Sequence, residues 1–569
     1  MRVLGLSFSG HGSAACLVED GLVTSAVNLE RITRVKFSLA TLPAYKREIL
    51  NSFRGGFGVE ALPPVANFYE VFPTMLEAVT GHRSLTKAGI DLVVKTCDLL
   101  QPIPDDPEPY EEFLAYFDAV ETCFNLEHHL CHAYQAYLAS PFDEAAVLTV
   151  DGRGENLERL GGRSLSMTLN EGRSNRIEVQ TEVAFPASVG GMYSQVIRHL
   201  GFREEQEGNT MALAAFGTDS YHRSARDGAF SLYDDGSFSL TPNAEGDDLL
   251  HYERMLASCE PREHGGPLTQ EHYDLAWAYQ AFAEEILVHS AQKLQERTGQ
   301  RQLAMAGGVA LNCVANSEIL KQTAFEELYV MPNAGDRGLA VGAALYGYQV
   351  VLGGTDRRPL THDYLGRPNT DAEIVAALDQ AEGIEHYRSD DIAAECAVLV
   401  AGGAIIGWVQ GGAEFGPRAL GHRSLIADPR SSKTKERLDT EVKRREWFRP
   451  YAPSVLAEHA DEWFEMLGPS PYMLLAVNTR EEVRDKVPAI VHVDGSARVQ
   501  TVERDVEPLY HRLISKFHEL TGVPIVVDTS FNGYGEPMVE TTEDAIAAMH
   551  QMGLEALAVG DHLVRPRKH

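Results

Sequence analysis

Hydrophobic residues in the first thirty positions form three short runs that are separated by turn residues. The first run begins at Val3, Gly5 and Leu6 and ends at GHGS; the second covers Ala14 to Val18, and EDG separates it from the third. Apolar runs bounded by glycine and Asp-Gly turns are typical of β-strands and hairpins. The pattern therefore predicts three consecutive strands around a glycine-rich turn.

Strand, turn and helix signals then alternate along the chain. Ala145 to Glu155 is predicted as a buried strand ending in Asp-Gly, Leu303 to Leu320 as a strand, a Gly-Gly turn and a helix, and Asn333 to Gln349 as a loop entering a helix of small residues. Such alternation predicts an α/β fold. With the three opening strands, it suits an actin-like ATPase fold in which the first glycine turn approaches a phosphate.

The pattern changes after Leu352, where GGTDRRPLTHDYLGRPNTD is rich in glycine, proline and charge. Such stretches are typical of domain boundaries. We therefore predict two domains, 1–357 and 366–569. In the second, the pattern predicts helices at 371–381 and 391–401, a strand at 404–410, a long basic loop, a strand at 523–528 and a last helix near 542–552.

Composition narrows the class of protein. The chain has 44% hydrophobic and 23% charged residues, which is typical of a globular protein. No apolar stretch is long enough to span a bilayer, so we expect no membrane partner. The seven cysteines are scattered without a CxxC pair, which favours a cytoplasmic protein over a disulfide-stabilised one. The net charge of -32 argues against a nucleic-acid partner and permits a cationic substrate, although solubility alone also explains it.

His128 and His132 lie four residues apart in EHHLCHAYQAYLASPF, a segment predicted as a helix. This spacing puts both imidazoles on one helix face, where they could hold one metal ion or form a buried hydrogen-bonded pair. Asp151 after a predicted strand and Asp336 in NAGDRG could complete a site, although either could instead cap a helix. Nitrogen and oxygen ligands of this kind suit Fe(II), Mn or Zn.

Glycine turns indicate a nucleotide site. Gly307 and Gly308 lie between a predicted strand and helix, where backbone N–H groups can approach a phosphate or ribose. A single such turn is usually only a tight turn, but here it recurs with GHGS and with VDGRG, which contains Gly152. No Walker sequence is present.

Cationic residues gather in loops at predicted strand ends of the second domain. Arg418 lies in FGPRALGHRS, Lys443 and Arg449 lie in EVKRREWFRPY, and Arg498 lies in DGSARV. Ligand sites of α/β folds occur at strand ends, and arginine and lysine bind phosphate oxygens. The alternative is a solvated basic face paired with carboxylates, which we favour for the adjacent Arg444 and Arg445 only.

The ordered motifs GHGSAACLVEDG, EHHLCHAYQAYLASPF, LTVDGRGE, EGNTMALAAFG, AMAGGVALN and NAGDRGLAVGAAL resemble those of the O-carbamoyltransferases of nodulation-factor and cephamycin tailoring. The resemblance spans almost the whole chain and is strongest to members that modify aminoglycosides. It implies a Kae1-like, actin-like N-terminal domain followed by a YrdC-like α/β domain. It also implies a metal centre, with iron favoured, at His128, His132, Asp151 and Asp336.

The same resemblance implies a bound adenylate near Gly307, Gly308, Asn312 and Gly152. In the second domain it implies a carbamoyl phosphate and ATP site formed by Arg418, Lys443, Arg449, Arg498, Ser530 and Asn532. His11 in the first glycine turn is the candidate general base, since imidazole titrates near neutral pH; a purely structural turn role is the alternative.

The expected reaction joins carbamoyl phosphate and ATP, with Mg, into carbamoyl adenylate and then transfers the carbamoyl group to a hydroxyl. The expected acceptor is a cationic aminoglycoside, such as tobramycin or kanamycin, in antibiotic biosynthesis. A homodimer is compatible with the sequence but not specified by it. The alternative function is a tRNA threonylcarbamoyladenosine-type synthase, which would need a basic surface for RNA.

Overall fold

The structure is a computed structural model, and it describes residues 1–9, 12–36, 38–41, 65–96, 108–203, 206–221, 228–240, 256 and 258–567. Three β-sheets of five or more strands dominate these residues. Helices cover the sheets, which confirms the predicted α/β class. Across the described ranges, no helix is both long and apolar enough to cross a membrane.

The first sheet is formed by strands up to Leu126 and has the order β3-β2-β1-β6-β7. β1, β2 and β3 are antiparallel neighbours, whereas β1, β6 and β7 run parallel. The three predicted opening strands are therefore confirmed. The strands of this part are β1 Arg2–Ser9, β2 Gly12–Glu19, β3 Leu22–Asn28, β4 Leu39–Thr41, β5 Val65–Asn67, β6 Leu92–Thr96 and β7 Glu121–Leu126.

The second sheet repeats this arrangement with the order β11-β10-β8-β14-β15. Its first three strands along the chain, β8, β10 and β11, are antiparallel, and β8, β14 and β15 run parallel. The two sheets therefore share one five-strand topology. The strands of this sheet are β8 Glu144–Val150, β9 Asn156–Leu157, which pairs with β10, β10 Arg163–Arg173, β11 Arg176–Ala184, β14 Gln302–Ala306 and β15 Glu327–Val330. A separate two-stranded sheet is formed by β12 Phe230–Leu232 and β13 Phe238–Leu240.

Helices of small residues bring these two sheets close together. Gly5 in β1 has no room for a side chain, because a Cβ there would lie 2.0 Å from the carbonyl oxygen of Ala340. The described helices of this part are α1 Leu29–Thr33, α2 Phe68–Thr80, α3 Leu85–Ala88, α4 Glu108–Ala115, α5 His128–Ala139, α6 Val189–His199, α7 Gly208–Ala214, α8 Gln270–Thr298, α9 Cys313–Gln322 and α10 Leu339–Tyr346. Helix α10 therefore packs directly on β1, and α5 lies beside it.

The C-terminal part contains an eight-stranded sheet with the order β16-β25-β24-β17-β18-β23-β19-β22. Its strands are β16 Ile384–Arg388, β17 Ile406–Val409, β18 Arg423–Ala427, β19 Ala452–Leu456, β20 Ala476–Asn478, β21 Ser496–Arg498, β22 Gln500–Val502, β23 Ile525–Ser530, β24 Ala556–Val559 and β25 His562–Pro566. Its helices are α11 Asp371–Gln380, α12 Ile392–Ala401, α13 Ser432–Arg437, α14 Ala460–Trp463, α15 Pro508–Thr521 and α16 Thr542–Met552.

The prediction of one long basic loop in this part was wrong. Residues 411–522 contain β18 to β22, α13, α14 and α15 in addition to loops. The strands were missed because they have only three to five residues each, too few to show an alternating pattern. The two predicted strands and the three predicted helices of this part are confirmed within a few residues.

The N- and C-terminal parts share a common core and exchange main-chain hydrogen bonds. The amide of Ala26 donates to Leu365, and Gly366 donates to Ala413, so the connecting segment is fixed to both sides. The carbonyl oxygen of Phe415 accepts the side-chain amides of Asn28 and Asn333 at 2.7 and 3.0 Å. The loop at Phe415 is therefore anchored on the N-terminal part.

Candidate metal centre and cationic pocket

Helix α5 presents His128 and His132 one turn apart, and both side chains are buried. Asp151 follows the end of β8, and Asp336 begins the short turn that leads into α10. One ligand atom from each residue lies within 4.8 Å of the others, so this cluster could hold a metal ion. The structure thus brings together all four residues that the sequence analysis named.

Charges in the cluster are balanced internally. His128 Nε2 is 3.2 Å from Asp151 Oδ2 and 3.6 Å from Asp336 Oδ1. Burial opposes protonation of His128, but Asp336, Asp151 and Glu155 outweigh it and raise the pKa of His128 to about 9. Burial also opposes ionisation of Asp151, yet the hydrogen bond from His128 and the nearby imidazoles hold its pKa well below the usual range.

Neighbouring groups hold the ligand residues in place. Glu155 accepts the backbone amide of His128 at 3.2 Å and so caps α5, whose own N-cap residue Glu127 makes no side-chain cap bond. Asp151 Oδ1 accepts the amide of Gly308 at 2.9 Å. We call His128, His132, Asp151 and Asp336 the metal cluster. Asp151 joins this cluster directly to the glycine turn after β14.

That glycine turn lies close to the backbone at the end of β8. Gly307 has a φ of 100°, and a Cβ there would lie 2.1 Å from the carbonyl oxygen of Val150. Only glycine fits such a position without strain. Gly152 directly follows Asp151, whose carboxylate accepts the Gly308 amide. Gly152 and the Gly307–Gly308 turn are therefore both connected to the metal cluster through Asp151.

Asn312 lies at the other end of this turn and caps α9. Its Oδ1 accepts the amide of Ala315 at 3.1 Å and the Nε2 of Gln280 at 3.2 Å. Its Nδ2 donates to Gln280 Oε1 at 3.0 Å and to the hydroxyl of Tyr193 at 3.4 Å. All four hydrogen-bonding positions of the Asn312 side-chain amide are used in this network. In this arrangement Asn312 therefore shapes the turn.

The cationic residues of the C-terminal part also converge. Lys443 Nζ donates to the carbonyl oxygens of Ser530 and Asn532 at 2.7 and 2.8 Å, and to their side-chain oxygens. Burial, and then the charges of Arg445, Arg449 and Lys36, hold the pKa of Lys443 well below its usual range. We call Arg418, Lys443, Arg449, Arg498, Ser530 and Asn532 the cationic pocket.

Arg418 and Arg498 lie together in this pocket. Burial, followed by the charge of Arg498, lowers the pKa of Arg418 to about 9, and burial lowers that of Arg498. Among the described residues, no carboxylate forms an ion pair with either arginine or with Lys443. Arg449 is different, because its Nη1 lies 3.8 Å from Glu446 Oε2. The pocket thus holds more positive charge than its protein neighbours balance.

Family comparisons agree with the sequence motifs. Residues 111–345 match the family model described as Carbamoyltransferase N-terminus, and residues 397–566 match Carbamoyltransferase C-terminus. The nodulation protein NolNO of Sinorhizobium fredii is 36% identical over 98% of this chain and 79% of its own length. The chain belongs to the carbamoyltransferase family. It is therefore a transferase.

A second relative of this carbamoyltransferase is the 3'-hydroxymethylcephem-O-carbamoyltransferase of Amycolatopsis lactamdurans. It is 30% identical over 80% of this chain and 83% of its own length. Among solved structures, T. kodakarensis HypF is similar over 63% of this chain and 50% of that chain, with 12% identity and a TM-score of 0.33.

Several supporting residues of the carbamoyltransferase were not predicted. Gln135 and Glu155 support the metal cluster, Lys36 contributes charge near Lys443, and Glu414 shapes the loop of Arg418. One carboxylate oxygen of Glu414 accepts the amides of Leu420, His422 and Arg423 at 2.7 to 3.2 Å. Only Gln135 had a usable signal, since it lies three residues after His132 on a predicted helix.

The prediction for His11 is not tested by the structure, and the prediction for Arg445 was wrong. His11, the candidate general base, lies outside the described residues. Arg445 is not on a solvated face: its guanidinium stacks on Tyr451 at 3.8 Å and lies 3.7 Å from Asp439. Its neighbour Arg444 is exposed, as the basic-face interpretation predicts.

Proposed function

We propose that this carbamoyltransferase is ATP dependent and works in two steps at two sites. The cationic pocket is the observation that carries the proposal. Buried like charges are costly unless a ligand of opposite charge balances them. Carbamoyl phosphate and the triphosphate of ATP are such ligands, and Mg accompanies the nucleotide. The catalytic residues of this step are Arg418, Lys443 and Arg498, with Arg449, Ser530 and Asn532 in substrate binding.

The first step makes carbamoyl adenylate. Water cleaves carbamoyl phosphate into carbamate and phosphate, and a carbamate oxygen then attacks the α-phosphorus of ATP, so that pyrophosphate leaves. Negative charge accumulates on phosphate oxygens in both reactions. Arginine forks and the Lys443 ammonium stabilise that charge, because they are fixed before the substrates arrive.

The second step transfers the carbamoyl group at the metal cluster. The donor set fits a divalent transition metal, with Fe(II) as our choice, since imidazole and carboxylate suit it and since the buried His132 Nε2 has no hydrogen-bond partner in the described residues. Such a metal supplies Lewis-acid polarisation when bound. The acceptor hydroxyl attacks the carbamoyl carbon, AMP leaves, and His11 takes the hydroxyl proton.

The adenylate would occupy the region beside Gly152, Gly307 and Gly308, with Asn312 shaping the turn. The hydrogen bond between Asp151 and the Gly308 amide supports this assignment, because it joins the nucleotide region to the ligand cluster. A backbone amide and a glycine without a side chain permit close approach of a ribose or phosphate.

We assign 1–357 to a Kae1-like, actin-like domain and 366–569 to a YrdC-like domain. The shared topology of the first two sheets supports the former, because a repeated five-strand unit is what an actin-like fold requires. The separate eight-stranded sheet supports an independent second domain.

For the acceptor we propose a cationic aminoglycoside in antibiotic biosynthesis. The net charge of -32 attracts ammonium groups and repels RNA, which disfavours the tRNA-modifying alternative. We place the enzyme in the cytoplasm, where ATP and carbamoyl phosphate are available. The proposed acceptor and the proposed location are independent of the two-step chemistry.

The test supplies ATP, Mg and carbamoyl phosphate with aminoglycosides or with neutral sugars of similar size. We expect pyrophosphate release that depends on carbamoyl phosphate, and mass spectrometry should find aminoglycosides heavier by one carbamoyl group. No pyrophosphate release would contradict the first step. Release without a carbamoylated aminoglycoside would contradict the acceptor class, and a gel shift with tRNA would favour the alternative.

A further inference from the structure

Gln135 lies on α5 three residues after the candidate ligand His132, and its side chain is fully buried. Its Oε1 is 2.9 Å from His132 Nδ1. Its Nε2 donates to the carbonyl oxygen of Asn333 at 2.6 Å. The amide therefore bridges the helix of His132 and the segment that leads to Asp336.

These two bonds fix the proton on His132. The carbonyl oxygen of Asn333 can only accept, so the Gln135 group facing it must be the NH2. The other end of the amide is then an oxygen, which also can only accept, and His132 Nδ1 must carry the proton. In the neutral ring, Nε2 is consequently an unprotonated nitrogen with a free lone pair.

That lone pair faces the cluster. His132 Nε2 is buried and 3.5 Å from Asp336 Oδ1, and within the described ranges it has no hydrogen-bond partner. Two lone pairs at this distance repel each other unless a cation lies between them. Metal-bound histidines commonly donate their second N–H to a fixed acceptor in this way.

Two glycines pack closely against the Gln135 side chain. A Cβ on Gly338 would lie 2.2 Å from Gln135 Nε2, and one on Gly342 would lie 2.9 Å from Gln135 Cβ. Both glycines belong to the segment that follows Asp336. The same packing therefore sets the orientation of Gln135 and the position of the second ligand.

We propose that Gln135 is a positioning residue that holds His132 in its metal-binding tautomer. The inference rests on the metal centre in the proposed function. It predicts that the chain binds metal more weakly without the Gln135 carbonyl, even when the fold and the cationic pocket are intact. The change to glutamate keeps an acceptor for the Nδ1 proton but loses the donor to the Asn333 carbonyl oxygen. Leucine loses both groups and keeps only the approximate volume.

The experiment titrates Co²⁺ alone into metal-free full-length protein, in competition with a chromophoric chelator. We expect Gln135→Leu to weaken the Kd by about 10- to 100-fold and to change the visible spectrum of the bound ion. Gln135→Glu should recover only part of the lost affinity, because one carboxyl oxygen still accepts the Nδ1 proton while the other faces the Asn333 carbonyl oxygen. Gln349→Leu is the matched control, because Gln349 is also buried but lies in the turn that follows α10.

Pyrophosphate release shows whether the cationic pocket of each variant still functions. It should be unchanged in Gln135→Leu, since the carbonyl of Phe415 keeps both of its amide donors. An unchanged Kd in that variant would overturn the inference, and so would a weaker Kd without any change in the visible spectrum of the bound ion, because packing alone would then explain the loss. Wild-type protein that binds no Co²⁺ would instead overturn the metal centre itself.

Discussion

The metal cluster is buried and the cationic pocket is partly buried, and the two balance charge in opposite ways. In the cluster, imidazoles and carboxylates face one another, with His128 3.2 Å from Asp151. In the pocket, burial and the charge of Arg498 lower the pKa of Arg418, and within the described chain neither arginine has a carboxylate in ion-pair contact. Opposite charges therefore offset one another in the metal cluster, whereas like charges meet in the pocket.

This difference indicates what each site needs. A cluster with internal balance needs only a small cation that its oxygen and nitrogen atoms can share. A pocket of like charges favours a polyanion, whose binding removes the repulsion. Cys313 connects the two regions, because it begins α9 after the glycine turn and lies close enough to Arg498 and Arg418 for their charges to act on its thiol. The contrast predicts that the two steps can be inactivated separately.

The largest expected effect is that of Lys443→Ala. Loss of the buried ammonium should lower carbamoyl-phosphate-dependent pyrophosphate release by about 1,000-fold, because fixed charges of this kind stabilise the transition state by that order. Transfer from supplied carbamoyl adenylate should continue at the wild-type rate. Arg444→Ala, an exposed neighbour, is the control. If Lys443→Ala supports both steps, the proposed division between the sites is wrong.

The corresponding change in the metal cluster is Asp336→Asn. We expect this variant to lose bound metal and to transfer the carbamoyl group at least ~100-fold more slowly, because a charged ligand becomes neutral at nearly constant volume. Metal content and transfer from supplied carbamoyl adenylate are the measurements. Pyrophosphate release should be retained, and Asp379→Asn on the surface should behave as the wild type. Loss of both steps would mean that the sites are not separable.

The smallest effect concerns stability. Saturating inorganic phosphate should raise the Tm of the wild type, since a ligand at 100 times its Kd adds about 2.7 kcal/mol to the free energy of unfolding. Arg418→Met should be more stable than the wild type without phosphate, by about 1–4 kcal/mol, because a buried charge is replaced by an apolar side chain. Its Tm should respond little to phosphate. A destabilised Arg418→Met variant would show that the protein itself already balances this arginine.

The sequence predicted those strands and site residues that depend on patterns among residues close together in the chain. The opening strands follow from apolar runs bounded by glycine and Asp-Gly turns, and the four ligand residues from i,i+4 spacing, from Asp151 after a strand and from Asp336 in NAGDRG. Gln135 shares the helix of His132, but its role depends on the Asn333 carbonyl, which is distant in the sequence. Contacts of this kind arise from tertiary packing and leave no local periodicity.

The cationic pocket shows the same limit. Arg418 was recognised because a glycine-flanked loop held a cation, but nothing near it indicated that Glu414 would collect three backbone amides. Lys36 acts on Lys443 from the other end of the chain. The short strands between 411 and 522 were missed because their pairing partners, rather than their own residues, define them.

β1 and β8 hold equivalent central positions in the first two sheets, because both sheets have one five-strand order. The sequences that follow these strands differ: β8 is followed by Asp151, whose carboxylate lies 3.2 Å from His128, whereas β1 is followed by GHGS, which contains no carboxylate. A repeated scaffold can therefore carry two unlike loop sequences, and either can be changed without altering the strand order that supports it.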